Sequence, residues 1–470
     1  MSTATSTTPI QRAVSYREGE LRFAAIAART GAAWLDSGGM DQGRYDIITC
    51  EPEQTLCLRG DGHTARQSEA SASAYEARDK QLGNKQDPFA LASQWHQART
   101  FRSELPFHGG ILGCLGYDLN QRLESLSRPP LAASSFPIAW LGYYPWALVQ
   151  DKSRQRAWLV ADSPQALRQG TSILTDMDSG QANDHDFALL SGWRASTSKA
   201  AFINSVQRIQ HYIQAGDCYQ VNLARHFQAS YCGSPWSAYR RLRRTLPSPF
   251  SAYLNTGAGC LLSHSPERFL QIDQERVITS PIKGTRPRSS DPQSDRRLAE
   301  ELLHSSKDRA ENVMIVDLLR NDLGRSCRIG SVRAQRLCAL ESYANVHHLV
   351  STIEGRLRPD TSPMEALKLA FPGGSITGAP KIRAMDIINE LEPVARSAYC
   401  GSVFYYSNHG RLDSSITIRS IVADSDQLHC WGGGGIVADS DAELEYEEGL
   451  TKIRVLMDTL AETSGVTRPR

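Results

Sequence analysis

The residue with the most chemical promise is a lysine set between a proline and a glycine. Lys283 lies in Val277-Ile-Thr-Ser-Pro-Ile-Lys-Gly-Thr-Arg-Pro-Arg288. The β-branched run Val277-Ile278-Thr279 predicts a strand that stops at Pro281. Pro281 removes a backbone donor and stiffens the chain, and Gly284 gives the backbone room. A lysine held there and taken out of water loses its proton more easily and becomes a nucleophile. The bland alternative, a solvated lysine beside a strand end, is the commoner case for lysines in general.

Two carboxylate groups could serve such a lysine. The stretch Ser306–Gly324 predicts a helix with a capping box at Ser305 and Asp308 and a stop at Gly324. Its spacing turns Val313, Val316 and Leu319 to the core and Arg320 outward, with Asp308, Glu311 and Asn312 on a neighbouring face. A second helix, from about Asp441 to Leu460, places Glu445, Glu448 and Lys452 at i, i+3 and i+7 on one face and Ile453, Leu456 and Leu460 on another. Carboxylates a turn apart suit Mg²⁺, which binds oxygen ligands; an exposed salt-bridge row has the same pattern.

Anion-holding features come next. Phe371-Pro-Gly-Gly-Ser375-Ile-Thr377-Gly-Ala-Pro380-Lys381 puts Pro380 in the first turn of a helix, whose free N–H groups would hold an anion. It is not a phosphate loop, since Ala379-Pro380 replaces the Lys-Ser/Thr that should follow the second glycine; a carboxylate suits it better. The run Trp431-Gly-Gly-Gly-Gly-Ile-Val437 reads as an anion nest or a flexible turn. Strand alternation in Ser415-Ile-Thr-Ile-Arg419 puts Arg419 opposite Ile416 and Ile418, as a carboxylate clamp or a surface arginine. In Val346-His347-His348-Leu-Val350 the two histidines face opposite ways, so one at most reaches a given site. Gly113-Cys114-Leu115-Gly116-Tyr117 imitates the nucleophile turn of a glutamine amidotransferase, but Tyr117 stands where histidine belongs; Cys114 reads as a core strand residue.

The chain that must position these groups has 470 residues, 40 % hydrophobic and 22 % charged, with a formal net charge of +1. That balance gives no sign of a nucleic-acid partner. No apolar run approaches the ~20 residues of a membrane span. Ten scattered cysteines form no C-x-x-C pair, which fits a reducing cytoplasm. Residues 1–18 read as a loose tail without a signal peptide. Residues 19–174 read as a mainly antiparallel lobe with strands near Ala32–Ser37, Arg44–Thr49, Phe107–Tyr117, Ala139–Tyr143, Ala147–Val149 and Ala157–Val160. The polar stretch within 175–197 reads as a linker. Residues 198–463 form the remaining region, opening on the helix Lys199–Ala215. Mixed blocks of helix and strand favour α+β.

Pro281–Thr285, Asp308–Asn312, Arg320–Asp322, His347–Val350, Phe371–Lys381, Ser415–Arg419 and Gly433–Asp439 occur in the order and spacing of the chorismate-utilising enzymes, which this chain resembles from roughly Arg44 to Lys452. The resemblance implies a large sandwich of two antiparallel β-sheets with helices packed outside, and Mg²⁺ as cofactor. It implies the branch that replaces the 4-hydroxyl of chorismate with an amino group for p-aminobenzoate and folate synthesis. Ammonia would come from a glutamine amidotransferase subunit. Lys283 matches the family lysine that attacks C2 of chorismate, and Glu267 the general acid. Glu311, Glu445 and Glu448 match the metal cluster. His348, Ser375, Tyr405, Arg419, Gly433, Gly435 and Lys452 match substrate contacts. Ser37, Arg44, Tyr45, Pro249, Phe250 and Ser251 fall where some members hold tryptophan. Two positions depart from the family pattern, Phe404 and Gly432, where Gly and Ala are common. Anthranilate-forming relatives typically carry Ala in place of Lys283; an isochorismate- or salicylate-forming enzyme, a silent amino-acid-binding subunit and a pyridoxal phosphate enzyme are the other readings.

Overall fold

The computed structural model describes residues 10–38, 43–60, 64–67, 87–127, 129–180, 186–343 and 346–462. Among them, two antiparallel sheets of 13 and 11 strands carry the molecule. The first runs from the edge strand Ile10–Val14 through Trp146–Asp151, Ala33–Asp36, Phe250–Asn255 and Cys260–Ser265 to Gln427–Ile436 and Gln220–Cys232. The second runs from Ile282–Pro287 through Val346–Arg356, Arg268–Asp273, Leu412–Ile416 and Ser402–Ser407 to Gly110–Leu115 and Ala139–Tyr144. Both sheets therefore interleave strands from early and late in the chain.

Strand periodicity explains the layering. In the first sheet alternate residues serve two cores: Ala33, Ile47, Ala147 and Val149 pack between the sheets, while Trp34, Ile48, Trp146 and Leu148 pack under helices. The inter-sheet core also takes Leu56, Ile111 and Leu270 from the second sheet. Emptying one such site, as in Leu56→Ala, costs roughly 2–5 kcal/mol because Leu56 is fully buried. The outer core is closed by the helices Pro164–Ser179, Pro235–Thr245 and Ala442–Ala461. The α+β sandwich is as the sequence reading has it. Cys114 is buried in its strand, with its thiol pushed up to about 12 by burial.

Several local expectations are corrected. Residues 175–179, expected in the linker, close the helix Pro164–Ser179, which Ser163 caps at its start and Gly180 ends at φ 73°. Its buried face is Ile173, Leu174 and Met177. The polar residues that suggested a linker form its outer face, where Asp176 pairs with Arg29 and Asp178 with Arg22; residues 181–185 lie outside the described residues. Within the expected tail, Ile10–Val14 pairs with Arg156–Ala161. Val313 is 41 % exposed, and the core face of its helix is Ile315, Val316, Leu319 and Leu323. Asn312 fixes that rotation by donating to the Leu349 carbonyl while accepting from Ser351. Arg320 is outside, as expected.

Candidate active site

Lys283 does not sit past the end of its strand. The chain resumes at once as Ile282–Pro287, paired with Val346–Arg356 through a register shift between Lys283 and Thr285. Gly284 makes that bulge at φ 74°. A Cβ there would lie 2.8 Å from Leu302 Cδ1 and 3.0 Å from Asp308 Cβ. Glycine thus lets the helix Ser306–Gly324 approach the strand, and with it Glu311. Among the described residues Lys283 makes no ion pair. Burial holds its ammonium below the usual lysine range, opposed first by the Glu311 carboxylate and helped by nearby Lys452; Glu267 and Glu448 also oppose it. The expected lysine nucleophile and its carboxylate neighbours are therefore within electrostatic reach of one another.

Glu267 follows the strand Cys260–Ser265 and is 6 % exposed. Its backbone carbonyl accepts from Ile416 N–H, and Ser375 Oγ donates to its Oε1 at 2.9 Å. Burial pushes its carboxyl up to about 7, against the Ser375 hydrogen bond and the Lys283 charge. A carboxylic acid poised near neutrality can donate a proton at working pH. Ser375 is held in the short 3₁₀ turn Gly374–Ile376, whose Ile376 carbonyl accepts from buried Arg396. The helix expected after Pro380 runs over Lys381–Leu391. Lys381 is spent on buried Asp322 at 2.8 Å and on the Ala370 carbonyl.

The three metal candidates come from two helices, as the spacing requires. Ser305 caps the first helix by accepting from Asp308 N–H. In the second, a Cβ placed on Gly434 would lie 3.2 Å from Glu445 Oε2, 3.5 Å from Lys452 Nζ and 3.8 Å from Glu448 Oε1. One face of that helix therefore does present all three groups to one point. Burial pushes both Glu311 and Glu445 up; Glu448 is pulled down, chiefly by Lys452 at 2.8 Å. The carboxylates are not drawn together as a closed cage: Ser440 holds Glu445 and Lys452 holds Glu448. Among the described residues no three acidic, histidine or cysteine side chains form a preassembled metal site. The donor set still fits Mg²⁺: all three are oxygen donors, and burial makes Glu311 and Glu445 resist ionisation for want of a close counter-charge.

The glycine run is corrected. Gly432 to Gly435 lie inside the strand Gln427–Ile436, paired in turn with Arg225, Ala224, Leu223 and Asn222, and form neither a nest nor a flexible turn. The neighbouring strand Ser420–Asp424 stops pairing at Cys430, so the run has a strand on one edge only. The glycines are needed for closeness. A Cβ on Gly432 would meet the Gly449 carbonyl at 2.5 Å and one on Gly433 the Leu223 carbonyl at 2.2 Å. The Gly432 departure therefore tightens helix against strand.

Arg419 is also placed differently. The strand ends at Ile416, Thr417 turns in to donate to the Ala398 carbonyl, and Arg419 sits at φ 51°, so alternation does not set its direction. Burial lowers its pKa, and among the described residues it makes no ion pair. A half-buried guanidinium without a carboxylate is suited to a carboxylate ligand. It acts on His348, which burial holds down at about 4 and Thr285 bonds at 2.9 Å. His347 is turned to Ser342 and Asp295 instead.

Tyr405 is not brought to this cluster. It lines a second cavity, of about 430 Å³, together with Ser37, Arg44, Tyr45, Pro249, Phe250 and Ser251. Phe404, fully buried, lines the same cavity. Sequence reasoning passed over Gln220, whose buried Nε2 has no hydrogen-bond partner among the described residues and lies 2.9 Å from a Cβ built on Gly435. No local signal marks it, because the pairing that sets it beside Gly435 spans more than 200 residues.

Residues 44–458 match the model of the chorismate binding enzyme family. The chain is 42 % identical over 448 residues to aminodeoxychorismate synthase component 1 of Klebsiella aerogenes, covering 94 % of this chain and 96 % of that one. It is 40 % identical over 364 residues to anthranilate synthase component 1 of Thermus thermophilus, covering 75 % and 77 %. The crystal structure of anthranilate synthase component I from Streptococcus pneumoniae superimposes with a TM-score of 0.75 at 29 % identity, covering 88 % of this chain and 92 % of that one.

Proposed function

The chain belongs to the chorismate-binding enzymes, and from that premise we propose that it exchanges the 4-hydroxyl of chorismate for an amino group, giving 4-amino-4-deoxychorismate. The observation that carries this reading is Lys283, a desolvated lysine that among the described residues makes no ion pair and sits near Glu267 and the acidic helix faces. Its Nζ forms a bond to C2, both conjugated ring double bonds shift toward C4, and the C4–O bond breaks as Glu267 delivers its proton to the leaving hydroxyl. Ammonia then bonds to C4 and gives a proton to the Glu267 carboxylate, both double bonds return, and the C2–N bond breaks to release Lys283. Arg419, His348, Ser375 and the Gly433–Gly435 backbone bind and orient the substrate, with Lys452 beside them. Mg²⁺ held by Glu311, Glu445 and Glu448 would neutralise the ring carboxylate.

Relatives are named as component 1 of a synthase, which supports ammonia reaching this chain from a second, glutamine amidotransferase subunit. Soluble work in the cytoplasm accords with the cysteine pattern, and among the described residues no helix is long and apolar enough to cross a membrane. The second cavity supports tryptophan as its ligand, since all six expected residues line it. The decisive experiment is product analysis by mass spectrometry with chorismate, Mg²⁺ and ammonium, for the wild type and Lys283→Ala. Aminodeoxychorismate from the wild type and a loss of at least about 10²-fold in the variant are expected. Anthranilate or isochorismate from the wild type would overturn the reading, and no turnover with a glutaminase added would point to a silent binding subunit.

A further inference from the structure

One ion pair in the cluster has no part in the reaction as written. Lys452 Nζ lies 2.8 Å from Glu448 Oε1 and donates to the Gly433 carbonyl at 3.1 Å. Both partners belong to the site: Glu448 is a carboxylate assigned to the cation, and Gly433 lies in the substrate-facing strand. The same ammonium stands over Gly434 with Glu445 Oε2 and Glu448 Oε1 around it. It thus occupies the place where oxygens of one helix face would have to meet a divalent cation. Mg²⁺ binds carboxylate oxygens at about 2.0–2.1 Å, and an ammonium hydrogen-bonded to the same oxygen would be driven off by charge repulsion.

The lysine can leave. Its side chain is 43 % exposed and hangs from a flexible four-carbon stem. The helix beneath it is fixed by buried Ile453, Leu456 and Leu460, so a rotamer change suffices. Resting on the metal assignment above, we propose that Lys452 is a displaceable internal cation. It holds Glu448 and the Gly433 carbonyl until Mg²⁺ takes Glu448, and its released ammonium then binds a substrate carboxylate. Metal and substrate binding are thereby coupled through one side chain. Each then tightens the other by the same factor.

The test is binding of Mn²⁺, read as free ion by electron paramagnetic resonance, to the whole chain without substrate. Wild type is compared with Lys452→Met, Lys452→Gln and Lys307→Met. Lys307 is exposed and acts through space on Glu311, Glu445 and Glu448, yet pairs with none of them among the described residues. Both Lys452 variants should bind Mn²⁺ at least about tenfold tighter, and the gain should survive ~1 M salt, where screening acts beyond ~3 Å. Lys307→Met should gain far less, and lose that gain in salt. Chorismate, whose carboxylate would also meet the metal, should tighten Mn²⁺ binding by a larger factor in the wild type than in the Lys452 variants. Unchanged or weaker binding in the Lys452 variants, or an equal gain in Lys307→Met, overturns the proposal. The metal assignment fails separately: Glu311→Gln would then leave wild-type Mn²⁺ affinity unaltered.

Discussion

Glu267→Gln should make the protein more stable and less active, with a stability gain that grows with pH. Burial raises the Glu267 carboxyl from 4.5 to about 7. The fold therefore prefers the protonated form. Below pH 4.5 the side chain is neutral in both folded and unfolded chains and costs nothing. Between pH 4.5 and 7 the unfolded chain ionises and the folded one resists, so wild-type stability falls; above pH 7 the loss is constant. A shift of about 2.5 units at 1.36 kcal/mol each is about 3 kcal/mol. Glutamine is neutral, nearly isosteric, and its Oε1 can still accept from Ser375. Unfolding entropy of about 2.1 cal/mol/K per residue gives ~1 kcal/mol/K for a chain this long, so the gain is about 3 °C at pH 8 and under about 1 °C at pH 5. Thermal melts of both proteins from pH 5 to 8 measure it. Turnover should fall about 10²-fold or more, since the amide cannot donate the proton. A melting difference that stays flat with pH, or widens toward acid, would refute the buried-acid reasoning.

Other consequences can be measured directly. Gly432→Ala should destabilise by about 1–3 kcal/mol, because the new methyl meets the Gly449 carbonyl at 2.5 Å; Gly434→Ala, which meets only carboxylate and lysine tips, should leave the melting temperature nearer the wild type but raise the Mg²⁺ concentration needed for turnover. In brief acetic anhydride labelling at pH 8, Lys283, held low by burial, should react ahead of Lys199 and Lys368, which ion pairs hold high, and chorismate should protect it; slower labelling of Lys283 in peptide maps would contradict the desolvated amine. Tryptophan should raise the melting temperature through the second cavity, and no shift at millimolar ligand would count against that occupant.

What could be read in the sequence was what one element decides for itself. Glu445, Glu448 and Lys452 share a face because a helix repeats every 3.6 residues, and Ser305 caps because hydroxyls at that position accept from the first turn. The other site expectations came from the resemblance; the structure places Lys283, Glu267, Ser375 and the acidic residues near one another, while their roles stay a proposal. The misses are long-range. Val313 lost the core to Ile315 because Asn312 is tied to the Leu349 carbonyl. The direction of Arg419 depends on a positive φ at a strand end. Polar residues 175–179 proved to be the ion-paired outer face of a helix. Tyr405 was assigned with His348, yet strand pairing with Leu112 and Asp413 carries it to the other cavity.

The interleaved sheets also dictate how the chain can be born. Gly110–Leu115 is buried at all six positions and lies between Ala139–Tyr144 and Ser402–Ser407. Translation delivers its first neighbour within 35 residues, but the second only after about 260 more. Throughout that interval a growing chain carries an apolar strand with one raw edge, the kind of surface that pairs with other chains. Phe250–Asn255 closes the gap between Ala33–Asp36 and Cys260–Ser265 only when the chain is past its midpoint. Neither half can bury its own core alone, so the two cores and the residue cluster between them assemble together and late, with the raw edge exposed until then.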